Sequence, residues 1–362
     1  MDLLAVAGLT LTFNPRGGAI ADLVVETDRG TVRPLHRAPW IDSGEGLPES
    51  TALVERQLAG DFFCAPFGAS PDGPIHGWTA NGAWQRLPDT VSYGGACTAH
   101  YRLEQHVIGA TVEKALTLCP GHPFVYQRHD FVGGSGHMPV SHHAMVRVPG
   151  GARLSFSPKA FGVTPASPLE TDPARGRSVL AYPRRFSSLA ALELDDGGTV
   201  DARTYPFAER HEDMLVMAEE PGTAVAWSAA LAADDGFLFF AVKDAATLPE
   251  TMLWMSNGGR DYAPWSGRHT AVLGIEEAAT SCHETGTFKS TGETSSHGVA
   301  TGLVLEPGTT QSVVYGFGAI PVPTGWTEVA DIRVAADTLT LVDIGGEEVV
   351  LPFLGRHFGI GV

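Results

Sequence analysis

Apolar residues along the chain fall in short runs, and almost every run is closed by glycine or proline. LTLTF at 9–13 alternates apolar and polar positions, the two-residue period of a strand with one face buried. AVAWSAAL (224–231) and FLFFAV (237–242) are short and apolar, and QSVVYGFGAI (311–320) is rich in β-branched and aromatic residues, so all three predict strands. LTLVDIGGEEVVL near the C-terminus predicts two strands around a glycine turn, and the opening MDLLAVAGLTLTF predicts a first strand. Turns supplied by 43 glycines and 25 prolines, with pairs such as Gly94-Gly95, Gly150-Gly151 and Gly258-Gly259, leave little room for helices. Only PESTALVERQLAG (48–60) has helical character, with Ser50 or Thr51 as cap and Gly60 as stop. No low-complexity linker and no fixed repeat divides the chain. The pattern predicts an all-β single domain over 1–362, a large antiparallel β-sandwich of two or more sheets.

Composition narrows the partners. With 43% hydrophobic and 18% charged residues, the chain can bury a large core. A formal charge of −17 opposes binding to nucleic acid, and Arg184-Arg185 reads as a solvated turn. No apolar window is long enough to span a membrane, and Asp2 stands where a signal peptide carries a basic residue. Cys64, Cys97, Cys119 and Cys282 form no CxxC pair, which argues against a zinc site and suits reduced, buried thiols in a cytoplasmic protein.

Candidate chemistry concentrates in three places. GPIHGWTANGAW (73–84) puts a histidine and two tryptophans into a turn, more aromatic surface than a surface loop needs, and suits a sugar pocket. MPVSHHAMVRVPGGARLSF (138–156) carries a histidine pair, and PWSGRHTAVLGIEEAAT (264–280) carries two glutamates in an apolar strand. A carboxylate there is costly to bury unless it is paired or working.

The order and spacing of these stretches resemble the aldose 1-epimerase (galactose mutarotase-like) family. Its HG(F/W)xxNxxW turn is matched at 76–84, its HPxFRxP strand at 143–149 and its late glutamate strand within 264–280. RGGAIADL (16–23) and LEPGTTQSVVYGFGAI (305–320) resemble its opening and closing segments, so the likeness covers most of the chain. It implies a β-supersandwich, a sugar as small-molecule substrate and no cofactor or metal. It also implies that His76, His143 and Glu276 are catalytic, with Asn81 and Asp213 binding substrate. Adjacent strand residues face opposite ways, so His142 and His143 cannot share one pocket, nor can Glu276 and Glu277. The alignment selects His143 and Glu276. Ala80 stands where many relatives carry arginine, and Arg260 and Arg268 are the nearest replacements by motif. Trp265 lies in a segment too polar and turn-rich for core and is a candidate platform for the sugar. Trp78, Trp84 and Trp254 read as core, and His122, His129, His137 and His211 as structural or surface residues.

These residue types suit ring opening at an anomeric centre. Glu276 would act as general base at O1, His143 as general acid at the ring oxygen and His76 as a hydrogen-bonding partner, giving a bell-shaped pH profile. Missing the arginine, the pocket is expected to prefer a neutral aldose over a hexose 6-phosphate, although a hexose-6-phosphate epimerase stays open as an alternative. A metal-dependent double cupin-like barrel would need two histidines at i and i+2, and no HxH occurs. A carbohydrate-binding or regulatory module of the same fold, without turnover, is the remaining alternative.

Overall fold

A computed structural model describes residues 1–69, 73–91, 94–281 and 298–361. Cys282 lies outside the described residues. Two large sheets carry the architecture. The larger, of 11 strands, runs in the order Asp2–Val6, Leu9–Asn14, Ala19–Thr27, Asp61–Cys64, Val140–Arg147, Val272–Ala279, Glu250–Asn257, His211–Glu219, Lys159–Thr164, Arg184–Phe186, with Gly30–Val32 on the flank of Ala19–Thr27. The second, of 10 strands, is centred on Val225–Ala232, Phe237–Asp244, Thr310–Pro321 and Phe124–Gly133. These are open sheets with edges, the sandwich expected from the alternation, and not a pair of barrels.

Apolar faces decide how the layers stack. Between the sheets, Phe63, Phe131, Leu253, Phe239, Tyr315 and Phe317 pack into one core. The outer face of the 10-stranded sheet is also apolar, and it is covered by a C-terminal meander of Val329–Val334, Thr338–Asp343 and Glu348–Pro352. Leu339 and Leu341 of the meander pack on Phe124, Trp227 and Phe240. The glycine turn read in LTLVDIGGEEVVL joins two of its strands. On the outer face of the 11-stranded sheet, loop and helix residues Trp40, Val54, Leu58, Phe67 and Trp265 close over the strands and leave a pocket.

Several local expectations change. Within 48–60, α-helix covers Leu53–Arg56, and its cap is not Ser50 or Thr51: the Ala52 backbone N–H donates to Glu55 Oε2 at 3.3 Å. Beyond the helix, the Leu58 carbonyl accepts from the Ala38 N–H at 2.9 Å. Arg184 and Arg185 lie in a short edge strand and not a turn; Arg184 pairs with Glu193 and Arg185 rests on the Phe161 ring. Cys64 and Cys119 are buried, whereas Cys97 is half-buried. No described helix is long and apolar enough to cross a membrane.

Candidate active site

Five central strands of the larger sheet form the floor of the pocket. Antiparallel register aligns Phe62 with His143, Met252 with Glu276, and Val216 with Met252. His143 and Glu276 come from the neighbouring strands Val140–Arg147 and Val272–Ala279, which pair antiparallel. Because side chains alternate, the next outward-facing row carries Gly274, Trp254 and Met214, and the one beyond it Ser256 and Glu212. His143 Nε2 lies 3.2 Å from Glu276 Oε1. The His143 ring is held between the stacked face of Phe62, 4.5 Å away, and the edge-on Trp254 at 5.4 Å. Gly274 leaves the space that Trp254 and Glu276 use: a Cβ there would sit 3.0 Å from Trp254 Cβ and 3.1 Å from Glu276 Oε1.

His76 reaches the same pocket from a loop. Its φ of +64° is in the left-handed region, uncommon for a residue with a side chain and a conformation that clusters at functional sites. The following Gly77 passes so close to the Asp61–Cys64 segment that a Cβ would meet Ala65 O at 2.0 Å, so only glycine fits. Asn81 fastens the loop: its Nδ2 donates to Ile75 O (2.7 Å) and Gly77 O (2.8 Å), and its Oδ1 accepts from the Val54 N–H (3.0 Å). The Gly68 N–H donates to His76 Nδ1 at 3.3 Å, which leaves Nε2 for the pocket. The His76 and His143 rings meet edge to face at 5.6 Å.

Burial sets the protonation of this group. It raises the Glu276 carboxyl to about 8. It lowers His143 to about 3, helped by the neighbouring His76, and lowers His76 as well. At neutral pH the pair therefore holds one proton, on the carboxyl, with both imidazoles neutral. The contact at 3.2 Å lets that proton pass to His143 Nε2, giving carboxylate and imidazolium.

The far end of the pocket is aromatic. Trp254 Nε1 donates to Glu212 Oε1 at 2.5 Å, and Ser256 Oγ donates to Glu212 Oε2 at 2.9 Å. Arg260 Nε pairs with Glu212 Oε1 at 3.2 Å while its guanidinium lies 4.3 Å from the centre of the Trp265 ring. Trp265 stands edge-on to Trp254 (5.9 Å) and Trp40 (5.0 Å). The cavity measures about 140 Å³.

Thus His76, His143, Glu276, Arg260 and Trp265 line one pocket. Three sequence-derived assignments fail to reach it. Asp213 points to the opposite face of its strand, where it accepts from the Val179 (3.2 Å) and Leu180 (3.1 Å) backbone, Tyr182 Oη (3.0 Å) and His211 Nδ1 (2.8 Å). Its neighbour Glu212 faces the site instead, as alternation along His211–Glu219 requires. Arg268 lies outside, bound to Pro264 O at 3.0 Å and to Glu45 Oε1 at 2.5 Å. Asn81 shapes the His76 loop with all three of its hydrogen bonds and offers no free group to a ligand. Trp84 is core, Trp78 is exposed, and Trp254, read as core, forms a pocket wall. Met214, Met252 and Phe62 also line it, without any sequence signal that separates them from core. Among the described residues, no cluster of three or more His, Cys, Asp or Glu is disposed to hold a metal ion.

No protein family and no curated protein matches this chain by sequence. Solved structures do match in shape. A galactose mutarotase related enzyme from Lactobacillus acidophilus superposes with a TM-score of 0.54 at 10% identity, covering 92% of this chain and 99% of that one. A protein from Escherichia coli K12, provisionally described as an aldose 1-epimerase, gives a TM-score of 0.56 at 14% identity over 88% of this chain and 98% of that one. The Slr1438 protein from Synechocystis sp. PCC 6803 gives 0.51 at 12% identity, over 89% and 96%. The chain has the galactose mutarotase-like β-sandwich fold.

Proposed function

We propose that this protein interconverts the α and β anomers of a sugar by general acid–base catalysis. The observation that carries the reading is the buried Glu276–His143 pair, 3.2 Å apart and sharing one proton at the floor of an aromatic cavity. In the productive form His143 carries that proton and delivers it to the ring oxygen. The Glu276 carboxylate removes the proton of the C1 hydroxyl as the bond from C1 to the ring oxygen breaks. The open-chain aldehyde then rotates about the C1–C2 bond, and the steps reverse on the other face. Ring opening returns the dyad to the neutral state, with its proton on Glu276, the form that burial favours. His76, with Nε2 directed to the pocket, donates or accepts at the oxygen where charge develops.

The far end of the pocket supports a neutral sugar. Arg260 is charge-paired with Glu212, and Arg268 is engaged by Glu45, so no unpaired guanidinium among the described pocket residues awaits a phosphate. Polarimetry of freshly dissolved α-anomers tests the reading. Catalysed approach to rotational equilibrium, lost in Glu276→Gln, supports it; sugar binding by calorimetry without any catalysed rotation change would identify a binding module instead.

A further inference from the structure

The floor is chemically divided. The His143–Glu276 pair lies at one end, Arg260 rests on Trp265, and the floor beyond Glu276 is Met252, Met214 and Trp254. Of the fifteen described lining residues, only Glu55, His76, His143, Arg260 and Glu276 are titratable. Some of their polar atoms are already engaged. Glu55 Oε2 accepts from the Ala52 N–H, His76 Nδ1 from the Gly68 N–H, and Arg260 Nε faces Glu212. His143 and Glu276 face each other. The pair, with His76 Nε2, suits O1, the ring oxygen and one neighbouring hydroxyl, and the outer nitrogens of Arg260 can serve a hydroxyl on the Trp265 side.

A fully hydroxylated hexose brings further hydroxyls over the floor beyond Glu276. There the register places Met252 beside Glu276, and Met214 beside Trp254. Met214 and Met252 are buried and offer only a weak thioether acceptor. A hydroxyl pressed against them loses water and gains no partner, whereas a C–H or methyl group at the same place gains contact.

We infer that the substrates of this site are deoxy sugars, pyranoses in which at least one hydroxyl remote from the anomeric carbon is replaced by hydrogen. This rests on the anomer-interconverting reading for its catalytic readout, but the wall itself can be judged by binding. The methionines, on this view, are specificity residues and not filler.

Matched pairs test it: D-galactose against 6-deoxy-D-galactose, and D-glucose against its 3-, 4- and 6-deoxy forms, with catalysed mutarotation and calorimetric binding measured on each. At least one deoxy sugar should exceed its parent by at least tenfold, and toward about a hundredfold, in kcat/KM and in affinity, the scale on which an apolar pocket rejects an added hydroxyl. Met214→Gln and, as a second variant, Met252→Gln should shrink that ratio severalfold by supplying an amide partner. Equal kcat/KM across all pairs would overturn the inference and leave the anomerase reading standing. Tighter binding of a deoxy sugar without any turnover would support the inference and defeat the anomerase reading. Failure of every sugar to bind would overturn the inference.

Discussion

Glu276 and His143 face each other from adjacent antiparallel strands, carboxylate oxygen 3.2 Å from imidazole nitrogen, while their sequence neighbours Glu277 and His142 are buried on the opposite side of the same sheet. The two carboxylates consequently live by different chemistry. Glu277 accepts from Ser228 Oγ (2.5 Å) and Thr251 Oγ1 (2.7 Å) and pairs with Lys243 at 2.5 Å, all within the sandwich. Glu276 has a titratable partner and an open pocket above it.

The first prediction follows from that division. Glu276→Gln and His143→Ala should each lower kcat by roughly 10²–10⁴-fold, the range for loss of a general acid or base, with thermal unfolding showing a folded protein. Glu277→Gln should do the reverse. It breaks a buried pair and should cost about 3 kcal/mol or more in stability, measured by denaturant unfolding, with kcat of the folded fraction retained.

The pH profile carries the second prediction. Burial inverts the ordinary order of the groups, raising the carboxyl to about 8 and lowering His143 to about 3. The alkaline limb of kcat/KM should therefore belong to Glu276, falling above about 8 as the dyad loses its shared proton, and the acidic limb should belong to the imidazole, well below 6. Stability should track the same group. A carboxyl raised from 4.5 to about 8 contributes stability that is full below 4.5 and is lost as pH rises through about 8. The melting temperature of Glu276→Gln relative to the parent should climb across that interval and level off above it. An alkaline limb that survives in Glu276→Asp at an unchanged pH would assign it to another group.

Much of this arrangement was legible in the chain because strand alternation is a two-residue rule. It separates Glu276 from Glu277 and His142 from His143, and the short apolar runs between glycines suffice to call the sandwich. In RHEDMLV (210–216) the choice between Glu212 and Asp213 depends on which face the strand His211–Glu219 turns outward. Both faces of that strand are buried, so hydropathy carries no preference. Trp254 reads as core, and Met214 and Met252 carry no mark in the sequence, for the same reason: a pocket floor made of apolar side chains has the composition of an interior. Arg268 and Arg260 sit in one turn-rich loop, and only the fold of that loop sends one guanidinium onto Trp265 and the other out to Glu45.

Asn81 gives the third prediction. Its side chain ties Ile75, Gly77 and Val54 together around a histidine held at positive φ. Asn81→Ala leaves two carbonyls and one N–H without that partner, and should cost about 1–3 kcal/mol in stability. Freed from the clamp, His76 can relax out of the left-handed region and away from the pocket. Turnover should fall by more than the stability loss explains, with kcat reduced about tenfold or more in protein shown to be folded by circular dichroism. Unchanged kcat would mean that His76 holds its place without Asn81, or plays no part in turnover.

The last prediction concerns charge. Glu212 neutralises Arg260 at 3.2 Å, and Arg268 is bound to Glu45 outside the pocket, so a 6-phosphate should find no unpaired cation on the described walls. The chain's formal charge of −17 adds long-range repulsion of a dianion. Glucose and galactose should therefore bind at least as tightly as their 6-phosphates, and Arg268→Ala should leave both affinities unchanged. Glu212→Gln should alter the balance. The amide keeps the shape beside Trp254 and Ser256 but removes the negative charge, so Arg260 is left as an unpaired guanidinium able to fork onto phosphate oxygens. Affinity for the 6-phosphate should rise about tenfold in that variant, and the gain should shrink as salt is raised. Competition calorimetry at two ionic strengths measures it. A phosphate ester that already binds the parent tenfold better than the free sugar, and loses that advantage in Arg260→Ala, would show that the Glu212 pairing yields to substrate and that the site is built for a dianion.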